Sequence, residues 1–133
     1  MLRRLAWSSI APPSLSAAGL DEIVASARRS NERHHISGMM LFTGAHFLGI
    51  LEGAEWDLAD LWQKLGRDER HRDLRRIGDA LCGDRWFPRW MMSRTGNAVV
   101  RAEIESLRSP QARSPAVGWA EAIRPIMLHA GAV

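Results

Sequence analysis

The sequence predicts an α+β sandwich with elements in the order β-α-β-β-α-β plus a further strand, the split βαβ arrangement of ferredoxin-like folds. Three observations predict it. Two segments carry apolar residues at helical spacing: Leu20, Ile23, Val24 and Ala27, then Leu58, Leu61, Trp62 and Leu65. Between them, "ISGMMLF" (36–42) and "HFLGILE" (46–52) read as strands joined by the tight turn "TGAH", a hairpin. In the second of those strands both faces are apolar, Phe47 and Leu51 on one side and Leu48 and Ile50 on the other. Two helices on a small sheet cover one face only, so a further layer has to cover the second.

The elements follow in order. "LRRLAWS" (2–8) forms the first strand and the Pro12-Pro13 loop closes it. Ser14 or Ser16 caps a helix over about 16–31. After the hairpin, the second helix stops near Gly66, which suits the position just past a helix end. Strands are expected around 73–82 and 89–94. Asn97 caps a helix in which Val100, Ile104 and Leu107 share a face. Beyond Pro110 and Pro115, "AVGWAEAIRPIMLHA" predicts another helix, perturbed at Pro125. Residues 96–133 are therefore expected as a helical extension to a domain of residues 1–95, packing on the back of the sheet or forming a dimer surface.

Composition narrows the function classes. With 133 residues, 46% hydrophobic and 25% charged, the chain reads as one globular domain and an extension. No apolar run approaches the ~20 residues of a membrane span, and the N-terminal apolar stretch is too short for a signal peptide. The single cysteine, Cys82, excludes an internal disulfide framework and suits a cytoplasmic location. The net charge of +3 is small, and Lys64 is the only lysine, so the arginine clusters read as solvated faces rather than a nucleic-acid surface. The strands also lack the paired exposed aromatics with which RNA-binding modules of this topology stack bases.

Catalytic constellations are equally sparse. His34, His35, His46, His71 and His129 have no spacing that places two on one helical turn with a carboxylate, so no metal site is predicted. If the chain is extended at His34-His35, the two rings point to opposite sides. No Gly-rich phosphate loop and no G-x-S-x-G occurs, and nothing around Cys82 marks a nucleophile. No enzyme activity is predicted. In "RRSNERHHISG" (28–38), Asn31 sits where the first helix is expected to end, and on its own reads as a residue closing that helix.

One residue resists a structural reading. Gly49 lies in the interior of a strand, where glycine costs about 0.5–1 kcal/mol relative to alanine. It marks a bulge, a close approach, or a position that has lost a side chain.

Five motifs in register, "AWSS" (6–9), "SNERHHISGMMLF" (30–42), "HFLGILEG" (46–53), "RDERHRDL" (67–74) and "RWFPRWMM" (85–92), resemble the BLUF family of blue-light sensors that hold FAD. The resemblance covers residues 2–94, and the tail is similar to the helices that follow short BLUF proteins. It implies a flavin between the two helices. It implies that Asn31 binds the isoalloxazine carbonyl through its amide, a role compatible with helix closure. Ile23 and Leu65 match the apolar residues that sandwich the ring. Arg33, Asp68, Arg70 and His71 match polar positions around the ribityl and phosphate end. Trp90 and Met92 match a pair on the last strand whose exchange in and out of the pocket accompanies signalling.

The chain departs from the family at two positions. The family's light chemistry uses a tyrosine on the first strand and a glutamine on the third; here these positions hold Trp7 and Gly49, and the chain has no tyrosine at all. Gly49 thus reads as a lost functional side chain, and Trp7 is expected to fill the volume that the tyrosine and glutamine share in the family. Two readings stay open: an FAD-binding regulatory domain without the normal switch, and a flavin-free interaction module of the same fold. In both, the expected partner is a protein or a second copy, met through the sheet face or the C-terminal helices.

Overall fold

The structure, a computed structural model, describes residues 1–109 and 119–129. The elements are β1 (Leu2–Ile10), α1 (Ala17–Arg33), β2 (Ser37–Phe42), β3 (His46–Ala54), α2 (Glu55–Arg67), β4 (Arg72–Leu81), β5 (Trp90–Arg94), α3 (Ala98–Leu107) and α4 (Trp119–His129). They build one five-stranded sheet in the order β4-β1-β3-β2-β5. β1 runs antiparallel to both β3 and β4, β2 runs antiparallel to β3, and β5 joins β2 in parallel. The first four strands have the split βαβ order that the sequence predicts, and β5 extends the β2 edge.

Strand alternation sorts the apolar residues into two layers. On the front, Leu5, Trp7, Met40, Phe47, Leu51 and Trp90 face α1 and α2, which contribute Leu20, Ile23, Leu58, Leu61 and Leu65. On the back, Ala6, Met39, Leu41, Leu48, Ile50 and Ile77 meet Val100 and Ile104 of α3 and Trp119, Ile123, Ile126 and Met127 of α4. Both faces of β3 are covered, as its sequence requires. Of the two expected places for the C-terminal helices, the back of the sheet is the one they occupy.

Local signals explain the N-termini of α1, α2 and α3. The Ser16 hydroxyl accepts from the Gly19 N–H at 3.0 Å, and Asn97 Oδ1 accepts from the Val99 N–H at 2.8 Å. α2 has no side-chain cap, and Glu55 and Asp57 complement its N-terminal dipole instead. α4 runs through Pro125, whose missing N–H leaves one helical bond unmade. The part of that predicted helix before Trp119 lies outside the described residues.

Three expectations need correction. Gly66 is inside the last turn of α2, which continues to Arg67 and ends at Asp68. Asn31 does not close α1. The helix runs two residues further, His34 caps it, and His35 takes the left-handed conformation with φ 53°. The His34-His35 pair is consequently a turn, not an extended segment.

A buried carboxylate ties the β4–β5 loop to the sheet. Glu52 of β3 is fully buried and accepts from Arg4 Nε at 2.9 Å, the Trp86 N–H at 2.8 Å and the Phe87 N–H at 2.9 Å. Arg4 lies over the Trp86 ring at 3.7 Å, with Arg124 of α4 5.1 Å from the same ring. The loop that leads into β5 is thus held from three elements at once.

Candidate functional site

Front-layer packing leaves a cavity of about 270 Å³ between α1, α2 and the sheet. Its walls combine Ile23 and Ala27 of α1, Leu61 and Leu65 of α2, and Trp7, Met40, Phe47, Leu51 and Trp90 from the strands. The polar groups in its lining are Ser26, Ser30, Asn31, Lys64, Asp68, Arg70 and His71. An apolar slot with a few convergent polar groups is the usual form of a small-molecule site.

Most residues singled out by sequence meet here. Ile23, Asn31, Leu65, Asp68, Arg70, His71, Trp7 and Trp90 all line the cavity. Met92 packs in the same layer but outside the lining, and Arg33 is exposed at the end of α1, away from it. Arg28 of α1 stacks 5.9 Å from the Trp90 ring. Lys64 lines the cavity although no sequence signal singles it out; it sits one residue before Leu65 on the same helical wall.

Asn31 owes its position to the extra length of α1, which buries its side chain to 2% exposure. Its Oδ1 has no hydrogen-bond partner, although the backbone carbonyl of the same residue accepts from the Ile36 N–H at 2.8 Å. A buried amide oxygen without a partner costs on the order of 1–3 kcal/mol. Such an atom on a cavity wall fits a ligand that brings an N–H.

The polar groups after α2 are held by internal hydrogen bonds. Arg70 holds Asp68 by Nε–H to Oδ1 at 3.0 Å and Nη2–H to Oδ2 at 2.8 Å, with a backbone N–H bond to Oδ1 at 2.9 Å. The guanidinium, opposed by partial burial, holds the Asp68 carboxyl below the ordinary carboxylate range, and Asp68 raises Arg70 in return. Both ring nitrogens of His71 are engaged: Nε2 lies 2.6 Å from the Leu65 carbonyl and Nδ1 lies 2.7 Å from Ser9 Oγ. The carbonyl only accepts, so Nε2 carries the hydrogen. His71 therefore splices the end of α2 to β1, and its ring meets Trp7 edge-on at 6.1 Å.

Trp7 lines the cavity, and Gly49, the other position that departs from the expected pattern, lies outside the lining. Trp7 of β1 and Gly49 of β3 are register partners. A Cβ at position 49 would overlap Nε1, Cε2 and Cζ2 of the Trp7 indole. There is no void beside the glycine; the tryptophan fills it. The indole Nε1 is buried there without a hydrogen-bond partner. Among the described residues, no group of three His, Cys, Asp or Glu side chains is arranged to hold a metal ion.

Residues 2–93 match the family BLUF, described as sensors of blue-light using FAD. The chain belongs to the BLUF family. It is 28% identical over 122 residues to the photoactivated adenylate cyclase subunit alpha of Euglena gracilis, covering 89% of this chain and 12% of the cyclase. It is 33% identical over 55 residues to the blue light- and temperature-regulated antirepressor BluF of Escherichia coli, covering 41% of this chain and 14% of that protein. The chain thus spans about an eighth of the curated relatives it matches, and the cyclases are larger proteins that extend well beyond the BLUF domain.

Solved BLUF structures share the fold. BlrB, a BLUF protein in its dark state, matches with a TM-score of 0.73 and 23% identity over 96% of each chain. BlsA in its photo-activated state matches with a TM-score of 0.75 and 19% identity, over 98% of this chain and 94% of that one. BLUF domains bind flavin and are sensors rather than enzymes themselves. The residues here fit the flavin ring in one testable respect: its pyrimidine edge carries an N–H, the group that the orphaned Asn31 Oδ1 lacks. No helix among the described residues is long and apolar enough to cross a membrane.

Proposed function

We propose that this chain is a BLUF-type FAD-binding regulatory domain that has lost the family's photoswitch and works through protein–protein contact rather than catalysis. Residues 1–95 form the flavin-binding unit and 96–133 the extension that meets a partner, in the cytoplasm. Ile23 and Leu65 flank the flavin ring, Asn31 orients it, and Arg70 and Lys64 attract the phosphates at the mouth. Bound flavin supplies absorption of blue light and accepts an electron.

The observation that carries the loss of the switch is the Trp7–Gly49 contact. A glutamine carries two N–H donors and an acceptor, so it can reverse its hydrogen bonds; glycine has no such group. An indole donates one hydrogen bond and accepts none through its nitrogen, and it relays a proton far less readily than a phenol. With flavin in the cavity, Trp7 would stand on its wall as an electron donor able to quench it, and position 49 would offer no side chain to rearrange afterwards.

A second reading, a flavin-free interaction module, draws support from the engaged His71 nitrogens and the closed Asp68–Arg70 pair. One experiment separates the two. The visible absorption spectrum of the purified protein with added FAD is recorded in the dark and under blue light. Bound flavin with quenched fluorescence and no reversible red shift is the expected result. Absence of binding selects the flavin-free module, and an ordinary red shift overturns the lost switch.

A further inference from the structure

We propose that the outer side of α2 is a self-association surface, in which Trp56 of one copy enters the groove between α2 and β4 of a second. Trp56 is 88% exposed and Leu81 is 50% exposed, and they flank this groove. Trp56 follows groove residue Glu55 on α2. Leu81 lies two residues beyond groove residue Asp79 on β4 and is the register partner of groove residue Arg3.

The groove has a volume of about 290 Å³. Leu5, Leu58, Ala59 and Trp62 supply apolar wall. Two guanidiniums and two carboxylates sit on the rim. Arg3 bonds Glu55 at 2.6 Å and Asp79 at 2.7 Å, while Arg76 reaches Asp79 at 3.3 Å and stacks on Trp62 at 4.6 Å. An arginine favours an aromatic face, and a carboxylate with a spare lone pair accepts an indole N–H. A tryptophan meets both needs at once.

A second copy is the occupant because α2 is complementary to itself. Its first turn carries Glu55 and Asp57, and its last turn carries the exposed Arg67, outside the flavin cavity. Two such helices side by side and antiparallel set the acidic end of each against the basic end of the other. Because Trp56 adjoins its own copy's groove, insertion is reciprocal, as a two-fold interface requires. Ala59, small and exposed, lets the helices approach closely near the axis. This surface is separate from the flavin cavity and from α3 and α4, so it does not depend on whether flavin binds.

The test is sedimentation equilibrium of the full chain over a range of concentrations, for the wild type, Trp56→Ala and Ala59→Glu. The wild type is expected in monomer–dimer equilibrium. Trp56→Ala is expected to weaken the dimer about thirtyfold or more, as for a buried aromatic hot spot. Ala59→Glu is expected to abolish it, with an unchanged circular dichroism spectrum confirming that each variant folds. A wild type that stays monomeric throughout overturns the proposal. So does a dimer that both variants leave intact, which would place the interface elsewhere.

Discussion

Trp7 lies against Gly49 across the β1–β3 ladder and takes the space in which any side chain at position 49 would begin. The two positions are one steric unit: neither residue makes sense without the other. Through Trp7 that unit reaches the wall of the cavity that Asn31 also lines.

Gly49→Gln alone is therefore expected to destabilise the fold by about 1–3 kcal/mol, the usual cost of forcing atoms into a filled core. Trp7→Tyr combined with Gly49→Gln is expected to recover that stability, since a smaller ring leaves room for the amide. Chemical denaturation of the two variants checks the stability. A reversible blue-light red shift in the flavin-loaded double variant, absent from the wild type, checks the function.

Asn31→Leu separates stability from binding. Removing a buried amide whose oxygen has no partner leaves the unliganded protein equally stable or more stable. The same change is expected to weaken FAD binding by tenfold or more. Thermal melting without flavin and fluorescence titration with FAD give the two readouts, and a loss of stability without loss of affinity contradicts the role given to Asn31.

Glu52→Ala is expected to cost about 3–5 kcal/mol, because it strands the buried Arg4 charge and frees two backbone N–H groups of the β4–β5 loop. Glu52→Gln keeps acceptor capacity and is expected to cost less. Urea denaturation midpoints of the two variants test the order. The loop feeds directly into β5, so amide exchange at Trp90 and Met91 is expected to rise in the alanine variant.

Stability is expected to fall in two steps as pH decreases. Burial pushes the His46 imidazole down, Arg108 and Arg101 push the same way, and Glu105 opposes them. The folded state thus resists a proton that the unfolded chain accepts, and stability starts to decline below about pH 6.5. Asp73, held low by Arg75 and then Arg108, and Asp68, held low by Arg70, act further down. Their contribution is complete above about pH 3.9 and is lost as pH falls through their depressed values. Melting temperatures from pH 8 to pH 2 follow both steps. His46→Gln, neutral throughout, is expected to remove the upper step and leave the lower.

Much of this fold was legible because its signals are local. The stripes of α1 and α2, the two-sided apolar pattern of Phe47 to Leu51, and the caps at Ser16 and Asn97 each depend on residues a few positions apart. Gly66 and Asn31 misled because a residue able to end a helix does not have to: α1 runs on through the exposed Glu32 and Arg33, and α2 through the exposed Gly66 and Arg67. Glu52 was silent in sequence, since its partners Arg4, Trp86 and Phe87 lie 34 or more residues away. At the cavity, the family motifs brought Asn31 and Trp90 together, whereas Lys64 carries no motif and only the wall of α2 reveals it.

A second indole–glycine contact lies on the opposite face of the sheet, where Trp119 of α4 covers the place of a Cβ on Gly78, the β4 partner of Ala6. Each contact acts as a ratchet on sequence change. Enlarging the glycine first produces a collision, and trimming the tryptophan first opens a hole; only paired substitutions pass between the two occupied states without a weakened intermediate. The chain's present sequence is thus held in place from both sides of β1, by geometry that a single mutation cannot step around.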